Sequence, residues 1–303
     1  MRKYVQMRSL FADVQGARMH YERAGRNRQP LLLLHGLIGS SGNWHRNVDF
    51  LAGTFDVIAL DLFNMDTSAA SVQMDAGLEA TADRIAAFLD ALGLTQVDVA
   101  GHSRGGAVAL MFAARHPDRV RRIVLFAPAN PFCDLARNLI WFYGTAPGAL
   151  LARIIPVLPQ AVKSLALRRM YGDPARIVEG SLERYTDVLR LPGTVDHILY
   201  ILRHWTSDMG FLEEQLGRLS GKPTLMIWGD RDRAVGLASA AELQKVLPHS
   251  KLMVLPGVGH IPFEEMPEIC NRAMQKWLQA PNLVCEDAST CKRKARDADQ
   301  RAA

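Results

Sequence analysis

Cysteine is scarce in this chain of 303 residues, and its few copies are scattered. The four cysteines form no CxxC pair and lie beside no histidines at metal-ligand spacing; they are Cys133, Cys270, Cys285 and Cys291. This usage predicts reduced thiols in a reducing compartment and argues against a cysteine-based metal site. Cys285 and Cys291 are the one pair that could bridge.

The sequence also lacks a long uninterrupted apolar run. Residues 1–11 are charged and do not contain the apolar core of roughly 7 to 15 residues that a secretory signal needs. The most apolar later stretch, residues 139–159, is interrupted by Pro147, Arg153 and Pro156, which is too broken to span a bilayer. We therefore expect a cytoplasmic protein with no integral membrane segment.

The charge is only mildly biased, with a net charge of +5 and a pI of about 9.1. Basic residues cluster at 119–122 and at 292–296, but neither cluster is interleaved with aromatic residues. Nucleic-acid sites usually combine basic with aromatic residues, so these two clusters indicate solvated protein surfaces. A nucleic-acid-binding protein would show salt-dependent retention on DNA, and we expect none.

What is present is an alternation of short apolar runs with helical patterns, typical of a mostly parallel sheet covered by helices on both faces. Strands are predicted at 31–34, 57–60, before Ser103, and at 123–126, 224–228 and 251–255. Between 131 and 219 only helical patterns occur. The expected organisation is a core formed by residues 1–130 and 220–280, a helical insertion at 131–219, and a polar, mobile tail at 281–303.

The most informative motif is Gly101-His102-Ser103-Arg104-Gly105, which stands between an apolar run and an Ala-rich helical pattern. A strand, a sharp turn and a helix in this order are what a nucleophile elbow requires. The small residues let two backbones approach closely, and the turn lifts the Ser103 hydroxyl out of the sheet. Ser103 is therefore the candidate nucleophile.

A serine nucleophile needs a base and a carboxylate that orients the base. His260 follows the last predicted strand within a Gly-rich loop, which fits the chain order of serine, acid and histidine in this kind of sheet. Asp230 and Asp232 both follow the strand at 224–228. We favour Asp232, since two further residues give the loop reach toward His260, and expect Asp230 to pair with a neighbouring arginine or to cap the turn.

The oxyanion that forms on attack needs hydrogen-bond donors. The backbone N–H of Arg104 is one candidate, because it begins a helix, where free N–H groups and the helix dipole favour negative charge. The second candidate is the N–H of Leu37, in the loop after the strand that ends at His35, where Gly36 lets the backbone turn.

Taken together, these motifs resemble the α/β-hydrolase superfamily over residues 15–280. The matched pieces are His35-Gly36, Gly101 to Gly106, Trp228 to Asp232 and Gly259 to Pro262. The resemblance implies a mostly parallel eight-stranded sheet flanked by helices, with the insertion 131–219 as a helical cap over the active site. It also implies hydrolysis through an acyl-enzyme, with neither a metal nor an organic cofactor.

One segment departs from the superfamily pattern. Members usually carry a Gly-x-Gly turn after the strand that ends at Asp61, whereas residues 61–68 read Asp-Leu-Phe-Asn-Met-Asp-Thr-Ser. Asn and Asp tolerate a positive φ, so the turn can persist with modest strain, and the Met65 side chain would then alter the rim of the site. The candidate pocket residues are His35, Trp44, Met65, Trp141 and Trp205.

The predicted substrate is a small to medium apolar carboxylic ester. A serine nucleophile argues against the relatives that use an aspartate there, since a carboxylate forms an alkyl-ester intermediate that serine cannot form. Apolar cap residues could line an acyl pocket or form the core of the cap. Arg153, Arg168, Arg169 and Arg203 leave room for an acidic substrate. The alternatives are a carbon–carbon bond hydrolase of the meta-cleavage type and a ligand receptor on the same fold; the sequence predicts no oligomeric state.

Overall fold

The computed structural model describes residues 7–65, 75–133 and 137–281, and only the backbone of residues 63–65 and 137–139. Within it lies one eight-stranded sheet, in the order β1-β2-β4-β3-β5-β6-β7-β8. The strands are β1 (Arg8–Val14), β2 (Ala17–Ala24), β3 (Pro30–Leu34), β4 (Asp56–Met65), β5 (Val97–His102), β6 (Val120–Phe126), β7 (Thr224–Gly229) and β8 (Ser250–Leu255).

From β4 to β8 all neighbouring strands of the sheet are parallel. Only β2 runs in the opposite direction, antiparallel to both of its neighbours, β1 and β4. This confirms the mostly parallel eight-stranded sheet. Sequence patterns did not indicate the β1–β2 hairpin, because β1 is an edge strand that alternates exposed and half-buried positions over most of its length. Such a strand contains no apolar run for a pattern search to find.

Eleven helices are formed by the described residues. They are α1 (Val48–Leu51), α2 (Leu78–Ala91), α3 (Arg104–Arg115), α4 (Arg137–Gly144), α5 (Ala146–Ile154), α6 (Gln160–Met170), α7 (Ser181–Thr186), α8 (Thr194–Leu216), α9 (Ala238–Val246), α10 (Pro262–Glu265) and α11 (Pro267–Gln279).

Both faces of the sheet are buried, which explains the unbroken apolar run of β3. Leu32 and Leu34 point into one core cluster with residues of α2, α3 and α8. Leu31 and Leu33 point to the opposite cluster, which contains residues of α1, α10 and α11. Since alternate residues of a strand face opposite sides, a strand between two helical layers has no polar face.

Between β6 and β7 the described residues form helices α4 to α8 and no strand. This stretch contains the predicted insertion, residues 131–219. The 23-residue helix α8 packs on α2 and α3 and so fixes the insertion to the core. Of the predicted tail, only Pro281 belongs to the described residues.

The predicted strand end at Asp61 is wrong, because β4 continues to Met65. Its last residue pairs with Met19 of β2 after a shift in register between Met19 and Tyr21. The antiparallel neighbour thus extends β4 beyond the apolar run that the sequence reveals. Residues 66–68 of the predicted turn lie outside the described residues, as does the side chain of Met65.

Candidate active site

Ser103 occupies a sharp turn between β5 and α3, with a φ of 50° and a ψ of −121°. A positive φ in a residue other than glycine is uncommon and is associated with functional turns. The backbones here are too close for larger residues: a Cβ atom on Gly105 would collide with the carbonyl oxygens of Leu34 and His35. The glycine therefore permits the packing of α3 against β3 that holds the serine in place.

His260 and Asp232 are joined by a hydrogen bond of 2.8 Å between the ring Nδ1 and the carboxylate Oδ2. The other carboxylate oxygen, Oδ1, accepts the backbone N–H groups of Ala234 and Val235 at 2.8 and 2.9 Å. The Asp232 carboxylate is fully buried and can only accept, so it holds the His260 tautomer that has its proton on Nδ1. The Nε2 atom of His260 is then left with a lone pair that can take a proton.

Asp230, the competing carboxylate, forms no hydrogen bond with His260 within the described residues. Its Oδ1 accepts the N–H of Gly257 at 2.7 Å, within the loop that leads to His260. Asp230 thus braces the loop of His260, whereas the sequence predicts that it pairs with a neighbouring arginine or caps its own turn. The structure brings Asp232, and not Asp230, to His260.

The loop that contains His260 packs directly on the elbow. The ring of His102 donates from Nε2 to the His260 carbonyl oxygen at 2.9 Å, and the two imidazole centroids lie 4.7 Å apart. Burial, followed by the nearby His260, lowers the pKa of His102 well below its usual value, so His102 is neutral. Within the described residues, no hydrogen bond joins the Ser103 hydroxyl to His260. Such contacts commonly tighten only when substrate binds.

The two predicted oxyanion donors remain available. The N–H of Arg104 begins α3, and within the described residues neither it nor the N–H of Leu37 donates to a protein acceptor. By contrast, two later N–H groups of α3 have partners. Those of Gly106 and Ala107 donate to the Ser103 carbonyl at 2.9 and 3.2 Å. A pair of free N–H groups beside the nucleophile, one of them at a helix N-terminus, suits a developing negative charge.

Comparisons with known proteins identify the family. The family model described as alpha/beta hydrolase fold matches residues 29–267, which is more than half of the chain. The chain belongs to the α/β hydrolase fold family.

Three relatives illustrate the range of this family. A dihydrolipoyllysine-residue acetyltransferase component of an acetoin cleaving system, from Cupriavidus necator, is 30% identical over 88% of this chain and 68% of its own length. The homologous component from Pseudomonas putida is 31% identical, and the chain spans only 66% of it. A 2-hydroxy-6-oxononadienedioate/2-hydroxy-6-oxononatrienedioate hydrolase from Burkholderia vietnamiensis is 27% identical over 91% of this chain and 95% of its own length.

Solved structures share the fold. Cfl2 from Burkholderia cenocepacia superimposes with a TM-score of 0.78 at 22% identity, over 90% of this chain and 96% of its own. A meta-cleavage product hydrolase from Pseudomonas fluorescens IP01 gives a TM-score of 0.73 at 22% identity, over 91% and 98%. The fold and the relatives together support a hydrolase as the enzyme class.

Two of the predicted pocket residues, His35 and Trp44, are buried in this α/β hydrolase and do not line a pocket. His35 is buried; its Nδ1 donates to the Gly36 carbonyl at 2.8 Å and its Nε2 accepts the Leu62 N–H at 2.9 Å. Burial lowers the pKa of His35, so the neutral ring, which is 1% exposed, joins residues 35–37 to β4 and does not face a pocket. Trp44 is fully buried and stacks on Phe263 at 4.3 Å, so it belongs to the core. A local sequence pattern does not distinguish a core aromatic from a pocket aromatic.

Trp141 and Trp205 do line a cavity, but one without triad residues. It is an open groove of about 810 Å³ between α4 and α8. Trp141 is largely exposed there, whereas most of the Trp205 side chain is buried in the core under α8.

Two features of the site left no recognised signal in the sequence. The Arg104 side chain is 2% exposed and donates to the Ala76 carbonyl. Burial lowers the pKa of this guanidinium to about 10, although the nearby carboxylate of Asp208 on α8 opposes the shift. The hydrogen bond to Ala76 fixes Arg104 to the segment that precedes α2.

The second feature is Glu265, whose buried carboxylate braces the histidine loop. It accepts the N–H of Gly259 at 2.6 Å and that of Gly172 at 3.1 Å, while the N–H of His260 donates to the Met170 carbonyl at 2.7 Å. The loop is thus held by the insertion as well as by the core. A pair of glutamates directly after Phe263, in an otherwise apolar loop, was the available signal.

Within the described part of the chain, no group of three or more His, Cys, Asp or Glu side chains is arranged to hold a metal ion.

Proposed function

We propose that this α/β hydrolase is a serine hydrolase that cleaves small to medium apolar carboxylic esters through an acyl-enzyme. The observation that supports this most is the buried His260–Asp232 pair, which packs through His102 onto a serine held at a positive φ. A hydroxyl, an imidazole and an orienting carboxylate are the parts that acyl transfer requires.

In this mechanism the Nε2 atom of His260 takes the Ser103 proton as the hydroxyl oxygen attacks the ester carbonyl. The Leu37 and Arg104 N–H groups bind the oxyanion of the tetrahedral intermediate. His260 then gives its proton to the leaving alcohol, and the carbon–oxygen bond breaks to leave the acyl-enzyme. A water molecule repeats the cycle and releases the acid. Each oxyanion donor contributes on the order of 3 kcal/mol of transition-state stabilisation.

An apolar substrate is supported by what surrounds the oxyanion loop. Leu37 packs on the large core cluster and also on a cluster of Val188, Leu189 and Ile198 from the insertion. A substrate that lies between the oxyanion loop and the insertion would therefore meet aliphatic side chains. Such walls favour an acyl or alcohol group without charge.

A second candidate is cleavage of a carbon–carbon bond in a vinylogous diketone, with the same three residues. It is favoured by the Burkholderia vietnamiensis hydrolase, whose similarity covers 95% of its own length. The two candidates share Ser103, so mutation of this residue does not separate them.

Turnover of a series of p-nitrophenyl esters of increasing acyl length, beside a panel of 2-hydroxy-6-oxo-dienoates, separates them. We expect multiple turnovers of the esters, and kcat/KM for the best ester at least tenfold above that for any dienoate. The opposite ratio would assign the chain to carbon–carbon cleavage. Stoichiometric acylation without turnover would favour a ligand receptor. The cytoplasmic location and the lack of nucleic-acid partners stay predictions.

A further inference from the structure

The surface of the insertion is unusually apolar over helices α5 and α6. Twelve large hydrophobic side chains are exposed in the described residues, and six of them lie between residues 150 and 165. These are Leu150, Leu151, Ile154, Val157, Val162 and Leu165. Val157, between the two helices, is 79% exposed. Contiguous apolar exposure of this kind marks a contact surface more often than scattered single residues do.

The two helices are anchored by their other sides, so the exposure is not the result of loose packing. In α5, Ala149 and Ala152 pack on Leu199 of α8. In α6, Leu167 reaches the core, and the Lys163 ammonium donates back to the Pro156 carbonyl at 3.4 Å. The apolar residues thus occupy the outward side of a fixed scaffold.

The sequence segment that contains α5 and α6 carries charge of one sign. Between Asp134 and Asp173 the sequence contains no acidic residue, but it contains five basic ones. Of these, Arg153 pairs with Asp196 of α8. Arg168 and Arg169 at the end of α6 are exposed, and neither forms an ion pair with a carboxylate of the described residues.

The bend between α5 and α6 suits contact with the surface of a membrane better than a membrane-spanning segment. No single described helix is long and apolar enough to cross a bilayer, and the one pair that reaches the required hydropathy together, residues 146–157 and 160–170, is bent by 106°. Exposed apolar side chains beside exposed arginines can together contact the acyl boundary and the phosphates of an anionic bilayer.

We propose that the outward side of α5 and α6 docks on the surface of an anionic lipid bilayer. The apolar side chains from Leu150 to Leu165 would enter the boundary between headgroups and acyl chains, and Arg168 and Arg169 would lie against the phosphates. Anionic headgroups would neutralise these arginines, which form no ion pair with a carboxylate of the described residues. This inference does not depend on which bond the active site cleaves.

Sedimentation of the full chain with vesicles tests it. The protein carries Ser103→Ala, so that hydrolysis cannot alter the lipid, and the vesicles are phosphatidylcholine with or without one third phosphatidylglycerol. We expect binding to the anionic vesicles that weakens with added salt. Val157→Ser with Leu165→Ser should lower the affinity by about tenfold or more. Arg168→Gln and Arg169→Gln should each lower it by about fivefold.

Matched control variants distinguish binding through α5 and α6 from non-specific adsorption to vesicles. Phe211→Ser with Val254→Ser removes two exposed apolar residues elsewhere and should leave binding unchanged. Lys292→Gln with Arg293→Gln tests the basic cluster of the tail. The proposal is overturned if the chain does not bind anionic vesicles, or if only the tail variant loses binding. It is also overturned if the Val157 and Leu165 substitutions abolish a dimer in analytical ultracentrifugation but leave vesicle binding intact.

Discussion

Among the described residues, a serine, a histidine and an aspartate come together in two places, and the two places differ in their backbone surroundings. In the second set the Ser9 hydroxyl lies 2.7 Å from His20 Nε2, and His20 Nδ1 lies 2.7 Å from Asp61 Oδ2. Hydrogen bonds thus link all three residues of this second set. In the first set, Ser103, His260 and Asp232, which all belong to the described residues, the bond between Ser103 and His260 is not formed.

The difference lies in the backbone around each serine. Ser9 is exposed in the extended edge strand β1, opposite Glu22, and no helix begins beside it. Ser103 has a positive φ and precedes α3, whose first N–H is free. Ser103 is therefore distinguished as the proposed nucleophile by the free N–H that can support an oxyanion, and not by a chain of hydrogen bonds.

The largest expected effect is the difference in kcat between substitutions of Ser103 and of Ser9. Ser103→Ala or His260→Ala should lower kcat by roughly four to six orders of magnitude, since the nucleophile and base act as a unit. Ser9→Ala should change kcat by less than about twofold. Steady-state kinetics on the best p-nitrophenyl ester measure both. A comparable loss in the Ser9 variant would show that the two sets had been assigned the wrong way round.

The next effect distinguishes the two acids. Asp232→Asn should lower kcat by about 10⁴-fold, because the amide cannot hold the His260 tautomer. Asp230→Asn keeps an oxygen that can accept the Gly257 N–H, so we expect less than a tenfold change. The same kinetic assay, with circular dichroism as a check of folding, is sufficient. Retained activity in the Asp232 variant would contradict the assignment.

A smaller effect tests the close packing that the β1 hairpin lacks. Gly105→Ala places a Cβ against the carbonyl oxygens of Leu34 and His35 and should destabilise the fold by about 1–3 kcal/mol or more. Gly210→Ala is the control, because a Cβ there meets open space within α8. Urea unfolding of both variants measures the difference, and equal stabilities would refute the packing argument.

The smallest effect is the pH dependence of the second set. The hydrogen bond to Asp61 raises the pKa of His20, so its contribution is present below pH of about 6.5 and is lost as pH rises through the folded pKa. Burial opposes ionisation of Asp61, but the bond to His20, the nearby His35 and the N–H of Ser41 together outweigh burial and lower the Asp61 pKa. That contribution is present above pH of about 3.8 and is lost as pH falls through the folded pKa.

His20→Gln should therefore reduce the free energy of unfolding by about 1 kcal/mol near pH 5.5 and by less near pH 9. Urea unfolding at the two pH values measures this. A loss that is larger at pH 9 would contradict the sign of the His20 shift.

The site was predictable where each part follows a buried strand, and unpredictable where parts meet across the fold. Ser103, Asp232 and His260 each stand in a short signature behind an apolar run, so sequence alone places them at one edge of a parallel sheet. The Ser9–His20–Asp61 network and the Glu265 brace depend on contacts between distant segments, such as Glu265 with Gly172. Trp44 failed as a pocket residue because burial is decided by neighbours such as Phe263.

Mapping of a fluorophosphonate adduct tests the central assignment most directly. We expect one label per chain on the peptide that contains Ser103, absent in Ser103→Ala and much slower in His260→Ala. A label on Ser9, or labelling that persists at the same rate in Ser103→Ala, would contradict the account.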